Sequence, residues 1–310
     1  MRNRSSAAWL VAALMVTAMG AWAAEPKQAT TVEDAYPGLA TGILAYATLG
    51  SPPPGVLVQA GAIQVTDNEV NNLQAKAHEP TRTQIRNNAF YLVEQMVTQR
   101  ILLPIARQAA AQAGKNLAGK QDHEVIEEYL KSVGSQAVVT DAEIADYYNQ
   151  NKAVFGNAAL PQVNAEIKQM LIEDKQGDAI AAHIQNLGKA MVMVVSAPWA
   201  AEQSQLLTAT PLEQARASGR PTLASFSAPG GNPPADPTAP IVQAVLAKYA
   251  GKLNVVPVNV AQERIFAARY GVVAVPAQIF FDKDGKEESR HTGPLSQGDI
   301  EKTLKELGVQ

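Results

Sequence analysis

From Arg220 onward the chain alternates short apolar runs with helical ones, in an order and at a spacing that admit few folds. Thr222 to Ser227 reads as a strand, Ala228 to Pro240 as a Pro/Gly-rich corner, and Ile241 to Tyr249 as a helix. A second apolar run, Leu253 to Val260, precedes a helix ending at Tyr270-Gly271. Val275-Pro276-Ala277 then leads into Gln278-Ile-Phe-Phe281, and Asp282 to Lys286 reads as a hairpin turn before a strand opening at Glu287. This alternation predicts an α/β unit with a mixed central sheet flanked by helices. The X-Pro bond at Val275-Pro276, between an apolar strand end and a new strand, is expected to be cis.

In order and spacing this region resembles the thioredoxin family, down to the proline that family holds cis beside its active site. The resemblance implies paired cysteines in the corner, where this chain has Gly230-Gly231-Asn232-Pro233-Pro234-Ala235. Counted forward from Phe226, the two family cysteines fall on Gly231 and Pro234; counted back from Pro240, on Asn232 and Ala235. Neither register supplies a thiol, and the 310-residue chain has no cysteine at all. Thioredoxin chemistry needs a thiolate whose pKa is lowered at a helix N-terminus, so exchange through the chain's own thiols is excluded. The corner then reads either as a retained anion- or peptide-contacting surface or as an inert loop. The resemblance further implies that the backbone before the proline, at Val275, pairs with a bound extended peptide. Pro276 could equally be a relic of the turn. Gly293, after Arg290-His291-Thr292, matches the family's glycine near the same groove.

The N-terminus carries Arg2 and Arg4, an apolar stretch from Ala7 to Met19, and Ala21-Trp22-Ala23. That is the layout of a cleavable export signal, and the stretch falls short of the ~20 residues a spanning helix needs. Residues 1–23 are therefore expected to be removed, with the mature protein periplasmic or secreted and without a stable membrane anchor. Losing two arginines and no acid would move the net charge from −3 to −5. A chain this mildly acidic gives no electrostatic case for nucleic-acid binding. An oxidising compartment is where disulfides are most useful, so a cysteine-free chain there has set redox chemistry aside.

Residues 24–55 read as an N-terminal extension ending in the Pro-rich linker Ser51-Pro-Pro-Pro54-Gly55, with a short helical stretch between Val32 and Leu49. Val56 to Ile63 reads as two short strands around Gly61. Thr66 with Glu69, and Thr140 with Glu143, have the spacing of capping boxes and open helices. Between them Thr81 to Gly114 is the longest helical pattern, with Ile85, Ala89, Val93 and Val97 among its buried face and Pro104 expected to kink or split it. A helix from Pro161 to Leu187, stopped by Gly188, and a closing strand at Ala190 to Val195 complete the region. The strand pair, the Asn88 to Leu103 helix, and Thr140 to Lys152 with Phe155 are similar to the N-terminal peptide-binding domain of SurA and trigger-factor-like chaperones. That likeness covers roughly residues 56 to 196.

The sequence thus predicts a multidomain chain. A mostly α-helical SurA-like domain (56–198) and a linker (199–209) precede the α/β thioredoxin-like domain (210–310), which opens with a helix at Thr210-Pro211-Leu212-Glu213. What the resemblances imply is a chaperone or adaptor whose partner is unfolded or extended polypeptide, or one specific periplasmic protein. A structural or assembly subunit, or a divergent member of an oxidoreductase or prolyl isomerase family, is the alternative. No segment resembles a parvulin-type isomerase domain. No phosphate loop, dinucleotide fingerprint or metal-ligand spacing is present, and His78, His123, His183 and His291 are scattered. Neither cofactor nor catalytic residue is assigned.

Overall fold

The computed structural model describes residues 29–150, 155, 157–228, 239–293 and 295–309; residues 1–23, expected to be an export signal, lie outside them. Two mixed four-stranded sheets organise the chain. The first joins β1 (Thr48–Gly50), β2 (Val56–Ala60), β3 (Ile63–Thr66) and β4 (Met193–Ser196) in the order β1-β4-β2-β3. β2 and β3 form the expected hairpin, turned at Gly61 with φ +58°. The fourth strand inserts between β1 and β2, parallel to one and antiparallel to the other.

After a short α1 (Val32–Ala35) come helices α2 (Asp67–Lys76), α3 (Thr81–Asn87), α4 (Ala89–Gln112), α5 (Asp122–Gly134), α6 (Asp141–Gln150) and α7 (Leu160–Ala190); α2 and α4 pack on this sheet, whereas α5 packs on α4 and α7, and α6 on α7, in apolar clusters of their own. Both capping boxes form. Thr66 Oγ1 accepts from Glu69 N at 3.4 Å and Thr140 Oγ1 from Glu143 N at 3.3 Å, while each glutamate accepts from the N-cap amide. These contacts satisfy amides that a helix start leaves unpaired.

Four expectations need correction. The long helical pattern breaks at Asn88, whose φ of −125° is not helical, and runs on through Pro104. Pro104 is exposed, so the backbone bond it removes is exchanged for water and not for an empty core position. α7 likewise continues past Gly188, because a Cβ there would lie 2.7 Å from the Ile43 carbonyl oxygen and 3.0 Å from the Tyr46 ring. This glycine marks close packing, not a helix stop. Residues 24–55 are no mere extension: Val32, Leu39, Ile43, Leu44 and Ala47 are core residues. Where the sequence suggested a linker at 199–209, α8 (Ala197–Thr208) stands, followed by α9 (Pro211–Arg216). Trp199, Gln203 and Leu207 recur every four residues, and Trp199 stacks on Phe90 at 5.2 Å. That stripe buries α8.

Gly188 provides a sign test. Alanine is the better helix former by about 1 kcal/mol, so an unobstructed Gly188→Ala change would stabilise. The contacts with Ile43 and Tyr46 predict instead a net loss of about 2 kcal/mol, read as a lower melting temperature. A higher one would refute the close contact.

The second sheet contains β5 (Thr222–Ser227), β6 (Asn254–Asn259), β7 (Ala277–Phe281) and β8 (Glu287–Thr292) in the order β6-β5-β7-β8. β5 and β6 are parallel; β5/β7 and β7/β8 are antiparallel. α10 (Ala239–Lys248) and α12 (Gln297–Glu306) cover one face, where Leu223 and Phe280 meet Val242, Val245, Ile300 and Leu304. α11 (Arg264–Arg269) covers the other, where Ala224, Phe226, Ile279 and Phe281 point. This second face is continuous with the core of the first sheet, so Val32, Ile43, Phe90 and Val97 share one apolar cluster with Phe226, Phe266 and Phe281. Both layers of a central sheet are thereby buried.

Candidate functional site

After α11 the chain turns through Gly271 (φ +68°), and Val272 N donates to Ala267 O at 3.0 Å. Val273, Ala274 and Val275 then run without a backbone hydrogen bond among the described residues. Val273 is 97% exposed, Val275 half-buried and Pro276 buried. The Val275–Pro276 peptide is cis. Pro276 O accepts from Gly293 N at 2.7 Å, and Gly293 has φ +110°, which side-chain-bearing residues rarely adopt. The three groove residues expected from the sequence, Val275, Pro276 and Gly293, therefore lie together. Gly230 to Ala235, expected to flank them, lie outside the described residues.

A stretch unpaired among the described residues stands out beside a sheet whose two outer strands are blunted. Asn254 N and Val260 N both bond toward β5, at 2.9 and 2.8 Å to Pro221 O and Ser227 O. Odd-numbered amides of β6 therefore face outward, and position 257 is a proline with no N–H to expose. β8, at the opposite edge, carries Glu287, Glu288 and Arg290. Among the described residues, Val273 to Val275 is left as the stretch whose backbone donors and acceptors have no backbone partner, beside an apolar side chain, as strand addition needs.

A rigid polar base sits behind it. Arg216 donates to both oxygens of Glu213 at 2.8 and 3.0 Å and to Gly285 O at 2.8 and 3.0 Å, with its guanidinium 4.6 Å over the Phe281 ring. Tyr270 donates its hydroxyl to Glu213, and Arg290 donates to Tyr270 O at 3.2 Å. Burial pushes the Tyr270 phenol well above its ordinary range, with the Glu213 carboxylate adding to the effect. This phenol stays protonated and donates; it offers no base. The cluster fixes α9 and the β7–β8 turn against the start of the Val273–Val275 stretch, so the geometry suits binding.

Sequence reasoning missed the polar groups that join the two sheets' surroundings. Arg269, 9% exposed, donates to the carbonyls of Leu39 (3.0 Å) and Gly38. Its burial pulls the guanidinium below its ordinary pKa. Glu94, fully buried, accepts from Thr41 N (2.8 Å), Thr41 Oγ1 (2.9 Å), Gly42 N (3.0 Å) and Leu44 N (3.0 Å). Gln84 Oε1 accepts from Ile265 N at 3.2 Å. The one available signal was a carboxylate placed among Phe90, Val93 and Val97 on an apolar helical face.

No family model matches the chain. Among the described residues no three His, Asp or Glu side chains converge as metal ligands, and no helix is long and apolar enough to cross a membrane.

Proposed function

We propose that this chain is an exported, redox-inactive thioredoxin-fold protein that binds extended or unfolded polypeptide, as a chaperone or as an adaptor, without thiol–disulfide chemistry. The observation that carries the reading is the Val273–Val275 stretch, with backbone groups that have no backbone partner among the described residues and an almost fully exposed valine close to Pro276. The β6-β5-β7-β8 order, with one parallel and two antiparallel pairings, supports the thioredoxin-like assignment. The lack of any cysteine removes the redox half of that family's chemistry. On this reading a client strand adds along Val273 to Val275, and the SurA-like helical region supplies further apolar contact. Affinity comes from backbone pairing and apolar burial.

The test is aggregation of a chemically unfolded client, with and without the full chain. Suppression at near-equal molar ratio is expected. Val273→Asp should weaken it about fivefold, the scale of roughly 1 kcal/mol of lost apolar contact. Its melting temperature should not change, because an exposed position contributes little to stability. If several-fold excess of the parent chain suppresses nothing, general client binding fails. A single folded partner recovered on co-purification would then favour an assembly subunit.

A further inference from the structure

Two different supports hold α7, and they change over beside one glycine. Its C-terminal half rests on α5 and on the core of the first sheet. There Tyr129 Oη lies 2.9 Å from His183 Nε2, Leu187 meets Leu102 and Val125, and Gly188 closes on Ile43. Its N-terminal half rests on α6, where Val163, Ile167 and Leu171 share a separate cluster with Val139, Ile144 and Phe155. Lys175 pins that half, donating to Val138 O at 2.8 Å and to Glu143 Oε1 at 2.6 Å. Among the described residues α6 packs extensively on α7 alone. No α7 side chain between Ile172 and Ile184 belongs to any of the apolar clusters.

Gly177 stands in this gap. It is exposed, its φ lies outside the left-handed region, and a Cβ built on it would meet nothing within 4 Å. Neither packing nor backbone conformation calls for a glycine there, in contrast to Gly188. What glycine adds inside a helix is freedom to bend, at a cost in helix propensity. The facing element ends on a glycine too. Gly134 closes α5, and a Cβ on it would lie 3.2 Å from Gln176 Cβ, so α5 offers no side chain to interlock with α7 at that point. The other covalent link across the gap, Ser135 to Val138, is turn and loop.

We propose that α6 and the N-terminal half of α7 form an arm that swings as one body about Gly177, with the 135–138 loop as the hinge's second link. Hinges absorb their motion in a few residues while the bodies on either side keep their packing. Here each side has its own apolar cluster, and the Lys175–Glu143 ion pair travels with the arm. Swinging therefore breaks neither cluster; it shifts only the contact of Gln176 on the Gly134 backbone. Tyr147, Phe155 and Val163 move with the arm, so their distance from α4 and the first sheet varies. The hinge does not depend on the peptide-binding reading above, since it uses different residues in a different part of the chain.

The test is double electron–electron resonance on the full chain. Because the chain has no cysteine, two introduced cysteines carry spin labels without background. Gln108→Cys with Ala165→Cys spans the hinge, from α4 to the arm. Gln108→Cys with Asn186→Cys stays within the body, and Asp146→Cys with Ala165→Cys within the arm; all four positions are exposed. The spanning pair should give a distance distribution about twice as broad as either control, as a swinging body does. Adding Gly177→Ala should narrow it to the width of the controls, because alanine restores helix propensity. That variant should melt no lower than the parent, since its methyl group meets only open space. A spanning pair as narrow as the controls in the parent chain would overturn the proposal. So would a broad distribution that survives Gly177→Ala, a broad distribution within the arm, or a lower melting temperature for the alanine variant.

Discussion

Glu94→Ala should be the most damaging single change in the chain, lowering unfolding free energy by about 4–6 kcal/mol, a large part of what an ordinary domain has. The four donors that meet its carboxylate come from Thr41, Gly42 and Leu44, in a segment with no other regular partner for those amides. Removing the acceptor leaves the N–H groups of Gly42 and Leu44, half-buried and buried, without a partner at about 1–3 kcal/mol each, while exposed Thr41 can turn to water. It also opens a cavity beside Ile43 and Leu44. Glu94→Gln keeps the shape but turns one acceptor into a donor facing donors, so it should recover less than half of the loss. Urea unfolding of the three proteins decides it. A glutamine variant as stable as the parent would mean that the carboxylate's second oxygen is not needed.

Arg269→Met is the second. Arg269 reaches from α11 to the carbonyls of Gly38 and Leu39, across more than two hundred residues of sequence. Methionine fills much of the same volume but donates nothing, leaving two carbonyls unpaired at an expected cost of about 2–4 kcal/mol. Because this bond ties the α11 face to the 32–47 segment, its loss should also uncouple the two sheets. The expected result is a urea transition that changes from one step to two, read by far-UV circular dichroism and by fluorescence of Trp199. A single transition at the parent's midpoint would show that the shared apolar core holds the halves together without this contact.

The elements of the second sheet were legible from sequence because Pro and Gly bracket them. The strand Thr222–Ser227 falls where the apolar run places it, β6 and β7 lie within a residue or two of their expected limits, and α11 ends one residue before the expected Tyr270. The capping boxes at Thr66 and Thr140 were legible for a similar reason: their hydrogen bonds span only three residues. What could not be read depends on partners far away in the chain. Residues 32–47 read as a short helical stretch of an extension until Glu94 gathers the amides of Thr41, Gly42 and Leu44. α8 looks like a connection until Phe90 receives Trp199. Gly188 looks like a stop until Ile43 is set against it. Of the candidate groove, Val275, Pro276 and Gly293 could be named from the resemblance to the thioredoxin family. The exposure of Val273 follows from tertiary packing, which no local pattern encodes.

The placement of β4 has a consequence for how the protein comes into being. Thr48 lies beside Val194 and Gln59 beside the same residue from the other flank. A chain emerging from the ribosome therefore holds β1 apart from its sheet neighbours until Ser196 has been made. Its apolar 32–47 segment then waits still longer, for Phe266 and Phe281. Nearly the whole polypeptide must exist before either sheet can bury both faces. Completion of both sheets is therefore a late event, set by long-range contacts, whereas the helical clusters between Leu102 and Leu187 draw on no later residue.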